Sequence, residues 1–362
     1  MIALISPKEY CDKTVLENEQ KLLFSKIWNF VGFKNEFSQI NDFKTQDIGG
    51  IPVVVQNCNG DIKCFKNICS HRHSIIQVDA KGNRPLFCPY HGWSYNEKGL
   101  LFGIPKKPLF SFTKDEIECL KLKEFQVDFC GDLVFVNINI NTESSETLKD
   151  YLGSFYSEIE NISQNFGELI DINEMVINAN WKILVENTLE SYHVNLIHAE
   201  TFKRLGAGGL DFVFENAHSA WNASLLLKEN EGKQAKIHQS YQNRGYKIEG
   251  YKHIIVFPNI LISTTYGVSF NLSQILPIDE NTSLFRSFVF LTKRFDNSKN
   301  EGIESMYKNS LINFNQKVFN EDKVICEKVQ IGVKNSHYEG QLSEEEMRVC
   351  EFQKNYTKYF NV

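Results

Sequence analysis

Two cysteines and two histidines stand in a pattern that could hold an iron–sulfur centre. Cys69-Ser70-His71 and, beyond residues 72–87, Cys88-Pro89-Tyr90-His91 give C-x-H and C-x-x-H arms. Each arm offers one thiolate and one imidazole. A [2Fe–2S] centre with two Cys on one iron and two His on the other needs that pairing. Neutral imidazoles in place of thiolates lower the negative charge on the cluster and raise its potential, which suits it to accept electrons from a ferredoxin or flavin reductase. A structural zinc site is the competing reading, but zinc fingers use C-x2–4-C followed by H-x3–5-H, and here Cys and His alternate. His73 breaks the two-residue arms and is expected at the surface or behind the ligands. Cys64 is expected in the core of a strand. Pro89 and Gly92 suit tight loops.

A second group of metal-binding types lies in residues 180–198, NWKILVENTLESYHVNLIH, which holds Glu186, Asn187, Glu190, His193 and His198. On an ideal helix each residue turns about 100°, so histidines five apart lie about 140° apart. Both reach one metal only if the helix is distorted or ends between them. Glu190 and His193 are i,i+3 neighbours, which would place a carboxylate beside an imidazole. A mononuclear iron that binds O2 and leaves room for substrate uses two His and one carboxylate. The third ligand must come from elsewhere, and the segment FNEDKVICE offers Glu321, Asp322 and Glu327 without choosing among them.

The elements that must position these groups divide by periodicity. Residues 14–33 read as an amphipathic helix running into an extended segment. From about 40 to 140 the pattern is short β-rich runs. IPVVVQ, NCNG and DIKCFKNI form a hairpin in which Asn59-Gly60 supplies the positive φ of a tight turn, and residues 131–140 form a further strand. Residues 145–205 read as mostly helical. Residues 251–292 return to strands long enough for an antiparallel sheet. Residues 302–334 are helical through Ile303, Met306, Tyr307, Leu311, Phe314 and Val318. A last helix starts at Ser343, with Glu346 completing a capping box. The expected fold is α+β, an all-β domain joined to a larger domain with an antiparallel sheet flanked by helices. The expected divisions are a helical segment, 1–39, packing on the larger domain; the β domain, 40–145; and the larger domain, 146–362.

These segments resemble the α subunits of Rieske-type ring-hydroxylating oxygenases. CSHRH…CPYHGWSYNEKGLL looks like their cluster motif, NWKILVENTLESYHVNLIH their catalytic motif, and EDKVICEKVQIGVKN the segment carrying their third iron ligand. The resemblance implies a Rieske [2Fe–2S] domain held by Cys69, His71, Cys88 and His91. It implies a mononuclear Fe(II) held by His193, His198 and Asp322. Glu190 matches the acidic residue that bridges the cluster of one subunit to the iron of the next, with Asn187 and Tyr192 beside it as candidate catalytic residues. His73 stands where the family often has Gly, and Glu190 where Asp is commoner. The implied activity is O2-dependent hydroxylation of a small molecule, with electrons from an NAD(P)H-dependent reductase or ferredoxin, in a homotrimer. The C-terminal segment is most similar to enzymes of quaternary ammonium compounds such as choline, betaine or carnitine, and the cluster segment also resembles aromatic-ring hydroxylases. An aromatic cage suits such a cation, with Trp221, Tyr241, Tyr246 and Tyr266 as candidates. A Rieske electron carrier and an inactive scaffold are the alternatives, and both leave the second metal set unexplained.

Composition narrows the partners. The 362 residues are 42% hydrophobic and 23% charged, with 28 Phe and net charge -6. No run of Lys and Arg suggests a nucleic-acid face, and no stretch of 18 apolar residues suggests a membrane span. The start, MIALISPKEYCDK, lacks the pattern of a signal peptide, so a cytoplasmic location is expected. The nine cysteines are scattered with no CxxC pair, unlike a secreted disulfide framework.

Overall fold

Asn59 and Gly60 take φ values of 58° and 102°, the left-handed pair that a two-residue hairpin requires. They join β3 (Ile51–Cys58) to β4 (Asp61–Lys66), with Cys58 paired to Asp61 at the turn. The structure, a computed structural model, describes residues 1–139, 146–206, 208–225, 241, 245–293 and 301–360. Its contacts fall into two units, Glu17–Tyr151, and Met1–Leu16 with Leu152–Val362.

The first unit is built on a seven-stranded sheet in the order β1-β9-β8-β4-β3-β2-β5. Besides the hairpin it contains β1 (Trp28–Phe33), β2 (Asp42–Ile48), β5 (Lys81–Asn83), β8 (Glu124–Cys130) and β9 (Leu133–Asn137). A two-stranded ribbon, β6 (Ser94–Tyr95) and β7 (Leu101–Gly103), forms a separate sheet, and its Tyr95 and Leu101 share a core with Phe43, Val54 and Phe65. The helix running into an extended segment expected over 14–33 is found: α1 (Lys13–Asn18) continues through Glu19–Phe24, and β1 begins at Trp28. All six residues of β1 are buried, and the strand pairs antiparallel with β9 around a bulge between Phe30 and Gly32. Residues 17–39 therefore belong with the β sheet, not with the larger unit as the division at 39 expected. The short helix α2 (Lys114–Cys119) starts at Thr113, whose hydroxyl accepts the Glu116 N–H at 3.3 Å. At the unit boundary lies α3 (Leu148–Leu152).

The second unit carries another seven-stranded antiparallel sheet, β10-β16-β15-β14-β13-β12-β11. Its strands are β10 (Phe166–Ile177), β11 (Gly208–Glu215), β12 (His218–Ser224), β13 (Tyr251–Val256), β14 (Ile260–Thr265), β15 (Ser269–Asp279) and β16 (Thr282–Thr292). The reading of 145–205 as mostly helical fails at β10. There Leu169, Ile172 and Val176 stand at helical spacing, yet all three are exposed, and pairing with β16 decides the conformation. The helices are α4 (Phe155–Gln164), α5 (Trp181–Leu189), α6 (Val194–Ile197), α7 (Phe202–Leu205), α8 (Glu301–Asn335) and α9 (Met347–Thr357). Before α9, the Glu346 carboxylate accepts the Ser343 N–H at 2.7 Å, and a single 3-10 turn, Glu344–Glu346, separates the two elements.

Glu186 on α5 ties three segments together. Its carboxylate accepts from the Tyr10 hydroxyl at 2.9 Å and from Gln353 Nε2 of α9 at 3.0 Å. Burial pushes its pKa from the ordinary 4.5 up to about 7, against the opposing hydrogen bonds from Gln353 and Tyr10. A raised folded-state pKa gives stability that is full below pH 4.5 and is lost as pH rises through about 7. At ~1.36 kcal/mol per pH unit, ionised Glu186 costs on the order of 3 kcal/mol above pH 8. The unfolding midpoint of Glu186→Gln, relative to the parent, is therefore expected to rise between pH 5 and pH 8. A difference that stays flat over that range in thermal melts rejects a neutral Glu186.

Candidate metal centres and substrate cavity

The two arms of the first motif fold into matching loops. In one, Cys69 N–H donates to Ser74 O at 2.8 Å and His73 N–H to Cys69 O at 3.0 Å. In the other, Cys88 N–H donates to Trp93 O at 2.8 Å and Gly92 N–H to Cys88 O at 3.0 Å. His73 and Gly92 are thus equivalent positions, with φ of 60° and 75°. Left-handed backbone is why glycine suits this position, and histidine is among the side chains that tolerate it. His73 is exposed, as expected for a residue outside the ligand set.

Cys69 and Cys88 are both buried. The His71 and His91 rings lie toward the surface with centroids 4.6 Å apart. Trp93 stacks on His71 at 4.6 Å, and the Tyr95 hydroxyl lies 3.2 Å from Cys69 Sγ. His71 Nδ1 is buried with no hydrogen-bond partner among the described residues. An orphaned buried nitrogen is costly unless something ligates it, so the donor set fits a His-ligated [2Fe–2S] group. Burial, then the neighbouring His91 and Arg72, hold the His71 pKa down, which favours the neutral form that a ligand needs. Cys64 is buried on β4.

The second group converges in the larger unit. The helix α5 begins at Asn180, whose side chain accepts the Lys182 N–H at 3.0 Å, and it ends at Leu189. Glu190 is extended, at φ -123° and ψ 161°. Glu190 and His193 therefore meet across a turn and not on a helix face as their spacing suggests. Glu190 Oε2 accepts the His193 backbone N–H at 3.1 Å, and Oε1 pairs with His193 Nδ1. The four-residue α6 then carries the chain to His198, so the helix ends before the second histidine, as the spacing requires. Tyr192 is 64% exposed and does not line the cavity. In this turn it is Glu190 and His193 that line the cavity.

One ligand atom each from His193, His198 and Asp322 lies within 4.8 Å of the others. Asp322 Oδ1 is 3.0 Å from His198 Nε2 and 3.6 Å from His193 Nε2. Asn187 Nδ2 donates to the same oxygen at 2.9 Å. The three acids left open by spacing take different places on α8. Glu321 Oε2 accepts from His198 Nδ1 at 2.8 Å and from the Thr201 hydroxyl at 2.9 Å. Glu327 accepts from the N–H and Nδ2 of Asn178, both at 3.1 Å. Burial pushes the His198 pKa down, but Asp322 and Glu321 together outweigh it and hold it up. Two imidazoles with their Nδ1 atoms held by carboxylates and their Nε2 atoms facing a third form a set that could hold a divalent metal.

A cavity of about 130 Å³ opens beside this set. Phe202, Trp221 and Tyr251 make one wall, with Tyr251 centroids 5.8 Å from both other rings. Of the four aromatics expected to form a cage, only Trp221 lines the cavity. Tyr241 packs with Tyr266 and Val268 elsewhere in the core, and Tyr246 donates to Glu158 at 2.8 Å. The sequence reading missed Tyr251 and Phe202. Alternation along β13 was the available signal for Tyr251.

A Rieske [2Fe-2S] domain family matches residues 27–119, and the ring hydroxylating alpha subunit (catalytic domain) family matches residues 157–361. The chain belongs to the ring-hydroxylating alpha-subunit family of Rieske iron oxygenases. It is 30% identical to the alpha 2 subunit of the terminal oxygenase component of terephthalate 1,2-dioxygenase from Comamonas sp., over 67% of this chain. The chain spans 57% of that relative's length. It is 26% identical to the carnitine monooxygenase oxygenase subunit of Acinetobacter baumannii, over 92% of this chain and 85% of that one. The fold matches that of the quaternary ammonium Rieske monooxygenase CntA in complex with L-carnitine, at a TM-score of 0.77 and 20% identity, over 98% of this chain and 94% of that one.

Proposed function

We propose that the chain is the oxygenase component of a multicomponent Rieske oxygenase, with a [2Fe–2S] cluster on Cys69, His71, Cys88 and His91 and an Fe(II) on His193, His198 and Asp322. The observation that carries this reading is the convergence of His193, His198 and Asp322 at an aromatic-walled cavity. When bound, the cluster stores an electron and the mononuclear iron supplies O2 activation and oxygen insertion. The protein's own part is to orient and to exclude water. Glu190 and Glu321 each hold the Nδ1 of one histidine, which fixes the tautomer with Nε2 toward the metal. Asn187 fixes the Asp322 carboxylate by donating to it. The wall of Phe202, Trp221 and Tyr251 accepts either an aromatic ring by stacking or a quaternary ammonium by cation–π attraction. The relatives named above act on one or the other.

Electrons come from an NAD(P)H-dependent reductase or a ferredoxin, and the assembly is a homotrimer in which Glu190 links the iron of one subunit to the cluster of the next. A solved quaternary ammonium Rieske monooxygenase described with inter-subunit electron transfer, 20% identical over 98% of this chain at a TM-score of 0.75, supports that arrangement by analogy of fold. A cytoplasmic location agrees with nine cysteines of which none pairs in a disulfide among the described residues. No helix among the described residues is long and apolar enough to cross a membrane. The test is analysis of protein purified without air. An oxygenase holds about three irons and about two acid-labile sulfides per chain, an electron carrier about two irons, and an inactive scaffold fewer. Zinc without sulfide rejects the reading.

A further inference from the structure

His253 turns one edge of its imidazole to a buried cation and the ring borders the cavity. It lies on β13, paired across the sheet with Trp221 and Ser263, and is 8% exposed. Arg348 Nη1, from α9, is 3.1 Å from His253 Nδ1. A guanidinium has donors only, so Nδ1 must accept and the ring proton must sit on Nε2. That second nitrogen makes no hydrogen bond among the described residues, while the ring lines the cavity. The result is a fixed N–H donor with no protein acceptor.

The charge behind it points the same way. Arg348 is 1% exposed and makes its other hydrogen bonds to Ser219, at 3.0 Å to Oγ and 3.3 Å to the carbonyl. No carboxylate pairs with it among the described residues. A buried cation of this kind is costly without a counter-charge. Burial brings its pKa down to about 9, which leaves it charged at neutral pH. Burial, and then Arg348, keep His253 well below the usual histidine range and therefore uncharged. Lys323 also lines the cavity and forms no ion pair among the described residues. The two carboxylates that reach the cavity, Glu190 and Asp322, are both engaged at the His193 and His198 end.

We propose that His253, with Arg348 behind it, is the anion subsite of this cavity and takes a carboxylate of the substrate on its Nε2–H. The inference rests on the oxygenase reading and selects among its substrates. It favours a betaine-type zwitterion or an aromatic acid over an amino alcohol such as choline or a ring without an acidic group. His253 is a positioning residue that sets which end of the substrate faces the iron ligands.

The test is calorimetric binding of two matched pairs to the full metal-loaded protein, glycine betaine against choline and benzoate against benzyl alcohol. In at least one pair the carboxylate is expected to bind about 10-fold tighter or more, a gap of about 1.4 kcal/mol. His253→Phe is expected to erase that preference, and His253→Gln, whose amide N–H reaches about the same place, to restore most of it. Iron content and cluster absorption should not change in either variant. Neutral partners that bind as tightly as the carboxylates overturn the proposal. So does a preference that survives His253→Phe, or the absence of binding by both carboxylates. If the Phe variant does not fold, the parent's selectivity and the Gln variant decide. Iron-poor protein that still prefers the carboxylate keeps the subsite and rejects the oxygenase reading. Iron-replete protein with no preference does the reverse.

Discussion

Asp322→Ala is expected to release the mononuclear iron and reduce turnover to background while the absorption of the [2Fe–2S] centre stays unchanged. Among the described residues, the Asp322 carboxylate is the one acidic group that faces the Nε2 atoms of both His193 and His198, and Asn187 donates to it. Its neighbours on α8 should behave differently. Glu321 reaches His198 on the opposite ring nitrogen, so Glu321→Gln should weaken iron binding by about 10–100-fold without abolishing it. Glu327 serves Asn178, so Glu327→Ala should leave iron content near normal. Iron analysis and optical spectra of the three variants give the ranking directly. Full iron and turnover in Asp322→Ala, together with loss of both in Glu321→Gln, would transfer the ligand role to Glu321.

That ranking could not be obtained from spacing alone. Glu321, Asp322 and Glu327 lie on one helix within seven residues. Which of them faces the histidines depends on how α8 packs against the turn after α5, a long-range relation. The two matching loops, Cys69–Ser74 and Cys88–Trp93, were legible for the opposite reason, because the proposed ligands, Pro89 and Gly92 lie close in the chain and the chemistry constrains the spacing. The helix expected over 302–334 appears as Glu301–Asn335, since 35 residues carry enough turns for the period to show. β10 was misread because its apolar Leu169, Ile172 and Val176 are exposed and do not alternate, so no two-residue period marks the strand. The cage was misplaced because Tyr241, Tyr246 and Tyr266 look like Tyr251 in composition, and only the pairing of β13 with β12 and β14 puts Tyr251 beside Trp221. The Arg348–His253 contact joins residues 95 apart, and nothing local in the sequence marks it.

The second large effect rests on Glu190. Its two oxygens are used differently from those of a metal ligand, since one accepts the backbone N–H of His193 and the other meets Nδ1 of the same residue. His193 then keeps Nε2 for the metal. In the proposed trimer the carboxylate also accepts from a cluster histidine of the neighbouring subunit, His71 or His91, and so couples the two metals through hydrogen bonds. Glu190→Gln separates these duties. Its amide oxygen still accepts from His193, so the iron should load. Its amide nitrogen donates instead of accepting and carries no charge, so the link to a second imidazole is lost. The variant is therefore expected to hold both metals and to reduce its cluster normally. Reoxidation of the reduced cluster after mixing with O2 and substrate should slow by roughly 100-fold. The measurement is a stopped-flow single turnover that follows cluster absorption. A parent-like rate in the Gln variant means that Glu190 only orients His193. A variant that fails to take up mononuclear iron makes Glu190 part of the ligand set, and either result removes the bridge.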